Sequence, residues 1–246
     1  MDIGIDVSPL QNGHSPRGIG SYTRGLLAGL RQLETSDRFL LYYWKGHPLD
    51  VKRDMLPQIT VFVGIPLPHA GRASALLAQQ FTMIPYLMAR RPHVYHQLGL
   101  VADPSAGGLP WSMHSRGIVT THDVIPLMFK DAFFRGKRLR YLLYRLSLAG
   151  LRFAQHVLTD SEASKKDLTS LLSLPSEKIT VAPLAIPLPL RIAFEQELHV
   201  RPFARLTKKY LLTVAGDYPN KDLKTLLRVS EKRLVEQQAL ARAALQ

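Results

Sequence analysis

Apolar and polar positions alternate from the start of the chain. Ile3, Ile5 and Val7 are separated by small or acidic residues, a period of two that predicts a strand. Ser8-Pro9 ends it, and Gln11-Asn12-Gly13 with Ser15-Pro16 form a loop of turn-forming residues. Past Gly20 the period changes. Tyr22, Leu26, Leu30 and Leu33 recur at helical spacing, with Ser21 placed to cap that helix. Phe39 to Trp44 and Ile59 to Val63 then read as strands, and Arg72 to Arg91 as a helix that Pro85 should kink. Val94-Tyr95-His96 and Gly117 to Thr121 are further strands, separated by a loop-like stretch from Asp103 to Pro110. Arg135 to Phe153 reads as a basic amphipathic helix. Val157 to Thr159 is a strand that runs through the N-cap Ser161 into a helix to Leu172, and Ile179 to Ala182 is another strand. Tyr210 to Val214 opens one more strand, which turns through Gly216 to Asn220 into a helix near Lys221.

Strands alternating with helices predict an α/β fold, a Rossmann-like parallel sheet with helices on both faces. Pro183, Pro187 and Pro189 mark a linker. The expected division is an N-terminal domain over 1–185, then over 186–246 the linker and first strand–turn–helix of an incomplete second α/β domain. One strand and one helix cannot cover both faces of a second parallel sheet. The chain therefore reads as a fragment, or its last unit packs back on the first domain.

Composition narrows the function classes. With 46% apolar and 21% charged residues, the chain has the make-up of an ordinary globular protein. No apolar run approaches the ~18 residues of a membrane span, and no signal-peptide layout opens the chain. The absence of cysteine excludes disulfides and thiolate metal sites and suits a cytoplasmic setting. The one strong bias is a formal charge of +13, which implies an anionic partner: nucleic acid, an anionic membrane or phosphorylated small molecules. Nucleic acid is disfavoured, because the Arg and Lys residues are not interleaved with aromatics in a stacking pattern.

The candidate chemistry begins at Arg17-Gly18-Ile19-Gly20. A glycine turn feeding a helix N-terminus lets an anion approach backbone amides, although glycine in a tight loop serves positive φ equally well. His122 and Asp123 close a strand at the edge where parallel-sheet ligand sites gather. His122 is either a core histidine or a ligand-binding group or proton relay, and Asp123 either caps the next loop or joins it. His96 and Gln97 end another strand at the same edge, with structural and functional readings both open. Ser161 and Glu162 read as helix-start chemistry. The cations from Arg135 to Arg152 form either a solvated face or a contact for an anionic leaflet or a lipid-linked phosphate.

Four stretches, in order, carry a family resemblance: Arg17 to Thr23, Thr120 to Leu127, Thr159 to Val181, and Leu212 to Leu223 with Pro219-Asn220-Lys221-Asp222. Together they resemble the N-terminal half of family 4 glycosyltransferases, retaining enzymes of the GT-B fold that use nucleotide sugars. The resemblance implies that Arg17, Gly18 and Gly20 approach the donor pyrophosphate and that His122 and Asp123 act at the acceptor side near the anomeric carbon. It also implies that Lys221 binds the leaving phosphates, where fixed cations and amides stabilise developing charge, with His96 and Gln97 on the acceptor side. The implied activity is metal-independent, cofactor-free transfer of a hexose, mannose or glucose, from a nucleotide sugar to a glycan or lipid-linked acceptor. The setting would be cell-envelope polysaccharide assembly, in the cytoplasm or peripheral at the inner membrane face. No Asp-x-Asp pair of the metal-dependent type occurs.

Two departures temper this. Asn220 stands where many relatives carry Arg, and no glutamate is followed by another eight positions on, so the family's donor-binding Glu pair is missing. The expectation is a chain weak or inactive alone; the alternative is a non-catalytic remnant serving as a binding module.

Overall fold

The computed structural model describes residues 1–66, 82–99, 116–186 and 221–231. The expected helix before residue 82, the loop at Asp103 to Pro110 and the strand at Tyr210 to Val214 lie outside the described residues. The chain divides into two compact units, Met1–Val124 with Phe134–Leu198, and Ile125–Phe133 with His199–Gln246.

The first unit is built on a seven-stranded sheet: β1 (Asp2–Asp6), β2 (Arg38–Lys45), β3 (Thr60–Pro66), β4 (Val94–Gln97), β5 (Arg116–Thr120), β6 (His156–Thr159) and β7 (Ile179–Val181). Their order is β3-β2-β1-β4-β5-β6-β7 and every neighbouring pair is parallel. The helices are α1 (Gly18–Arg31), α2 (82–90), α3 (Ile125–Met128), α4 (Lys130–Phe134), α5 (Arg138–Ala149) and α6 (Glu162–Leu172). The fold is thus the α/β, Rossmann-like parallel sheet that the pattern predicts.

Central strands of such a sheet are covered on both faces, so they read as continuous apolar runs. In β2, Phe39, Leu40, Leu41 and Tyr42 are all buried. Phe39 and Leu41 pack with Ile5, Val7, Leu10 and Leu98 beneath Leu27 of α1. Leu40 and Tyr42 face the other way, onto Met83 and Leu87 of α2 with Tyr95. Gly4 of β1 is small for a reason: a Cβ there would stand 3.0 Å from the Tyr42 ring and 3.1 Å from the Tyr95 ring. Those rings meet edge to face at 5.6 Å. Pro66, which cannot donate to a ladder, ends β3 at the sheet edge, where proline is tolerated.

Several boundaries differ from the sequence expectations. Helix α1 starts at Gly18 with Arg17 as N-cap, so Ser21 lies inside the first turn and caps nothing. Its early start follows from the backbone of the preceding loop, whose His14 carbonyl accepts from the amides of Arg17 and Gly20. The basic helix expected over Arg135 to Phe153 is shorter: Gly136, with φ of +71°, separates it from α4, and α5 runs only from Arg138 to Ala149. The Ser161 cap holds, its Oγ accepting from the Ser164 amide at 3.1 Å.

The second unit holds the short helix α3, residues 130–133 of α4 and a helix over 223–231. Lys221 is exposed just before that helix.

Candidate functional site

Four strands end side by side at the carboxyl edge of the first unit's sheet. β1 ends in Asp6, β4 in His96-Gln97, β5 in Thr120 with His122 just beyond, and β6 in Thr159 with Asp160 next. The chain order reverses between β1 and β4, and in open α/β sheets ligand crevices lie outside the carboxyl ends at such a point.

His122 and Asp160 form the centre of this edge. Ile118 to Thr120 pair with His156 to Leu158. Extending that register by two residues sets His122 opposite Asp160, and His122 Nδ1 lies 2.7 Å from Asp160 Oδ2. An ionised carboxylate only accepts, so Nδ1 carries the proton and donates it. In the neutral ring that leaves Nε2 as an acceptor with a fixed direction. The two side chains are 17% and 20% exposed, partly withdrawn from water. Among the described residues, His122 Nε2, Asp160 Oδ1, Thr121 Oγ1 and Thr159 Oγ1 are buried without hydrogen-bond partners. Each such atom costs on the order of 1–3 kcal/mol until something meets it. Orphaned polar atoms gathered at one sheet edge are therefore a mark of a ligand site.

Tyr22 of α1 covers this pair from the side. Its ring stands nearly perpendicular to the His122 ring, with centroids 4.9 Å apart. The Tyr22 hydroxyl lies 3.0 Å from Thr120 Oγ1, which is 2.9 Å from His96 Nε2. Thr120 has one hydroxyl proton, so the chain runs in one direction at a time: Tyr22 to Thr120 to His96, or the reverse. Burial pushes the His96 imidazole down to about 4, so the ring is neutral near neutral pH. Burial pushes the Tyr22 phenol up, and the Asp160 charge adds to this against the Thr120 hydrogen bond. Asp6, at the end of β1, has its carboxyl raised by burial even though the Ser8 amide donates to it at 2.9 Å.

Gly18 and Gly20 lie in the first turn of α1, four and two residues before Tyr22. Gly20 is packed against the preceding loop, where a Cβ would come within 2.1 Å of the Ser15 carbonyl oxygen. Arg24 holds the same residue, its guanidinium donating to the Ser15 carbonyl and hydroxyl at 2.8 Å each and pairing with Asp50. Gly18 is different. A Cβ there would meet nothing within 4 Å, and the residue is exposed at the helix start beside the exposed Arg17. Positions four apart share a helix face, so Gly18 opens the face on which Tyr22 stands.

The structure thus places His96, Gln97 and His122 along one sheet edge, with Asp123 exposed immediately after. Gln97 is buried between Asp6 of β1 and Val119 of β5 in register. Arg17 is the N-cap of the helix that carries Tyr22, and Gly18 and Gly20 lie in its first turn. Lys221 belongs to the second unit. Sequence reading assigned no role at the edge to Tyr22, Thr120 or Asp160. Tyr22 reads as part of an apolar helix face, Thr120 as strand interior, and Asp160 only as the residue between a strand and the helix that Ser161 caps. The signal that finds Thr120 and Asp160 is the constant offset between parallel strands; Tyr22, on a helix, lies outside its reach. Among the described residues, no group of three or more His, Asp or Glu side chains is placed to hold a metal ion.

A family model described as Glycosyltransferase Family 4 matches residues 16–188, which includes every edge residue from α1 to β7. No match is found among curated proteins. Among solved structures, sucrose-phosphate synthase from Thermosynechococcus elongatus is 13% identical with a TM-score of 0.49, over 76% of this chain and 48% of that one. A putative UDP-N-acetylglucosamine 2-epimerase from Listeria monocytogenes is 12% identical with a TM-score of 0.49, over 73% and 44% respectively. A transferase from Siraitia grosvenorii in complex with UDP is 10% identical with a TM-score of 0.43, over 73% and 50%. The chain spans about half the length of these three. With more than half of its residues matched by the family model, this chain belongs to glycosyltransferase family 4.

Proposed function

We propose that this chain supplies the acceptor-side wall of a retaining, metal-independent glycosyltransferase that moves a hexose, mannose or glucose, from a nucleotide sugar to a glycan or lipid-linked acceptor. The observation that carries this reading is His122. Its Nδ1–H is committed to Asp160, and its Nε2 is buried with no partner among the described residues. A neutral imidazole held in that tautomer accepts a hydrogen bond from a sugar hydroxyl and fixes its orientation. Tyr22 limits the ring's swing, and the Tyr22–Thr120–His96 chain keeps the neighbouring strand ends rigid. Arg17 and Gly18, with the amides of the α1 N-terminus, suit the donor's pyrophosphate. Lys221 is assigned to the leaving phosphates through the family resemblance. The acceptor's linkage to lipid, the cytoplasmic setting and a role in polysaccharide assembly belong to the same proposal.

The test uses the imidazole itself. Ring nitrogen resonances of 15N-labelled His122 are followed during titration with UDP- and GDP-hexoses and with oligosaccharide acceptors, alongside a mass-spectrometric transfer assay. The expected outcome is a shift of His122 Nε2 on acceptor addition, and transfer or binding that falls about 100-fold in His122→Ala, the scale of a positioned polar group. A folded chain that transfers no sugar, and whose His122 resonances ignore every compound in the panel, overturns the reading. Binding without transfer supports the alternative of a non-catalytic module.

A further inference from the structure

We propose that the outward face of α5 docks on an anionic lipid bilayer. Helix α5 turns Tyr144, Ser147 and Leu148 inward, where Tyr144 stacks on Phe134 at 5.4 Å. The opposite face is apolar and uncovered. Leu139 is 59% exposed, Leu142 55% and Leu146 42%. Their spacing of three and four residues places them on one stripe of the helix. Single exposed leucines are ordinary; a contiguous stripe of them marks a contact surface.

Charge says what the contact is. Arg138 and Arg145 stand seven residues apart beside the leucines, Arg152 follows in the short 3-10 turn after α5, and all three are exposed. From Arg135 to Phe153 there are six cations and no carboxylate. Helix stability does not select this arrangement. The N-terminus of a helix favours anions, yet α5 begins with Lys137 and Arg138, has no acidic residue in its first turn and gains no side-chain cap. The cations therefore serve something outside the helix. A second copy of this face would set arginine row against arginine row, with no carboxylate to separate them. A polynucleotide would satisfy the arginines but leave the leucine stripe in water. An anionic bilayer satisfies both: phosphate headgroups meet the guanidiniums while the leucines enter the acyl boundary. The surface does not involve His122, so it stands or falls separately from the proposed sugar chemistry.

The experiment is sedimentation of the full chain with sucrose-loaded vesicles, either pure phosphatidylcholine or about one-third phosphatidylglycerol. Binding is expected only to the anionic vesicles, with release by moderate salt. Replacing Arg138, Arg145 and Arg152 together by Gln should weaken it about 100-fold. Replacing Leu139, Leu142 and Leu146 by Gln should weaken it at least about 10-fold even at low salt, with the circular dichroism spectrum unchanged. A Leu142→Trp variant should show blue-shifted emission on the anionic vesicles. Equal binding to both vesicle types, variants that bind like the wild type, or a bound Leu142→Trp chain with unshifted emission each overturn the proposal. So does a concentration-dependent dimer that the leucine substitutions abolish while vesicles are ignored.

Discussion

Gly18 and Gly20 stand two residues apart, yet substituting alanine at each should have opposite consequences. At Gly20 the new Cβ would fall 2.1 Å from the Ser15 carbonyl oxygen and 2.7 Å from that of His14. Both are backbone atoms in a loop anchored by Arg24, so neither can step aside as a side-chain tip would. The loop must move by more than an ångström. That breaks the Gly20 amide bond to His14 and at least one of the two Arg24 bonds to Ser15. Two lost hydrogen bonds cost about 2 kcal/mol, and residual overpacking about 1–3 kcal/mol more. Alanine returns about 1 kcal/mol through its better helix propensity. The net expectation is destabilisation by about 2–4 kcal/mol. At Gly18 the Cβ meets nothing, and the same propensity gain leaves stability unchanged or raised by up to about 1 kcal/mol. Urea unfolding followed by circular dichroism measures both, provided the slope m is the same in each variant. If Gly20→Ala lies within about 0.5 kcal/mol of the wild type, or if Gly18→Ala is equally damaging, the packing argument fails. The pair also separates fold from function. In the proposed site Gly18→Ala should weaken nucleotide-sugar binding about 10-fold in a protein of normal stability, because it narrows the approach to the helix amides.

Two further outcomes follow from the edge. The His96 ring titrates near 4 when folded against 6.5 when free. The unfolded chain therefore takes up its proton first as the pH falls, and stability is lost between about pH 6.5 and 4, by about 3 kcal/mol in all. Replacing His96 by Gln should flatten that stretch of the stability–pH curve, and an unchanged acid limb would show that burial at His96 is not what sets it. Ser161→Ala removes the hydroxyl that accepts from the Ser164 amide and should cost about 1 kcal/mol in urea; Ser161→Asn should restore most of it.

Much of the fold is legible because local and tertiary demands agree. The run Phe39 to Tyr42 is apolar at every position, which suits a strand covered on both faces, and β2 lies inside the sheet with four consecutive buried residues. Ser161 reads as a cap because its hydroxyl has one local use, and the helix obeys it. The failures occur where a distant backbone decides. Ser21 has the right chemistry for an N-cap, but the His14 carbonyl draws the helix start back to Gly18. The basic stretch from Arg135 to Phe153 has helical periodicity throughout, but Gly136 adopts φ of +71° and holds the start of α5 back to Arg138.

The candidate site was half legible for a related reason. His122 and His96 announce themselves as polar residues at the ends of apolar strands, a placement that serves little in packing. Asp160 does not, since an acidic residue before a capped helix already has an ordinary explanation. What joins it to His122 is register alone. Val119 and Val157 are fully buried opposite one another, and in a parallel pair a slip of one residue turns every side chain to the other face. Such a slip would bring Asp160 beside Thr121 and send the His122 ring out of reach of a carboxylate. The two valines thus position the imidazole as surely as its hydrogen bond does. Substitutions that loosen their packing should disturb His122 before they unfold the sheet.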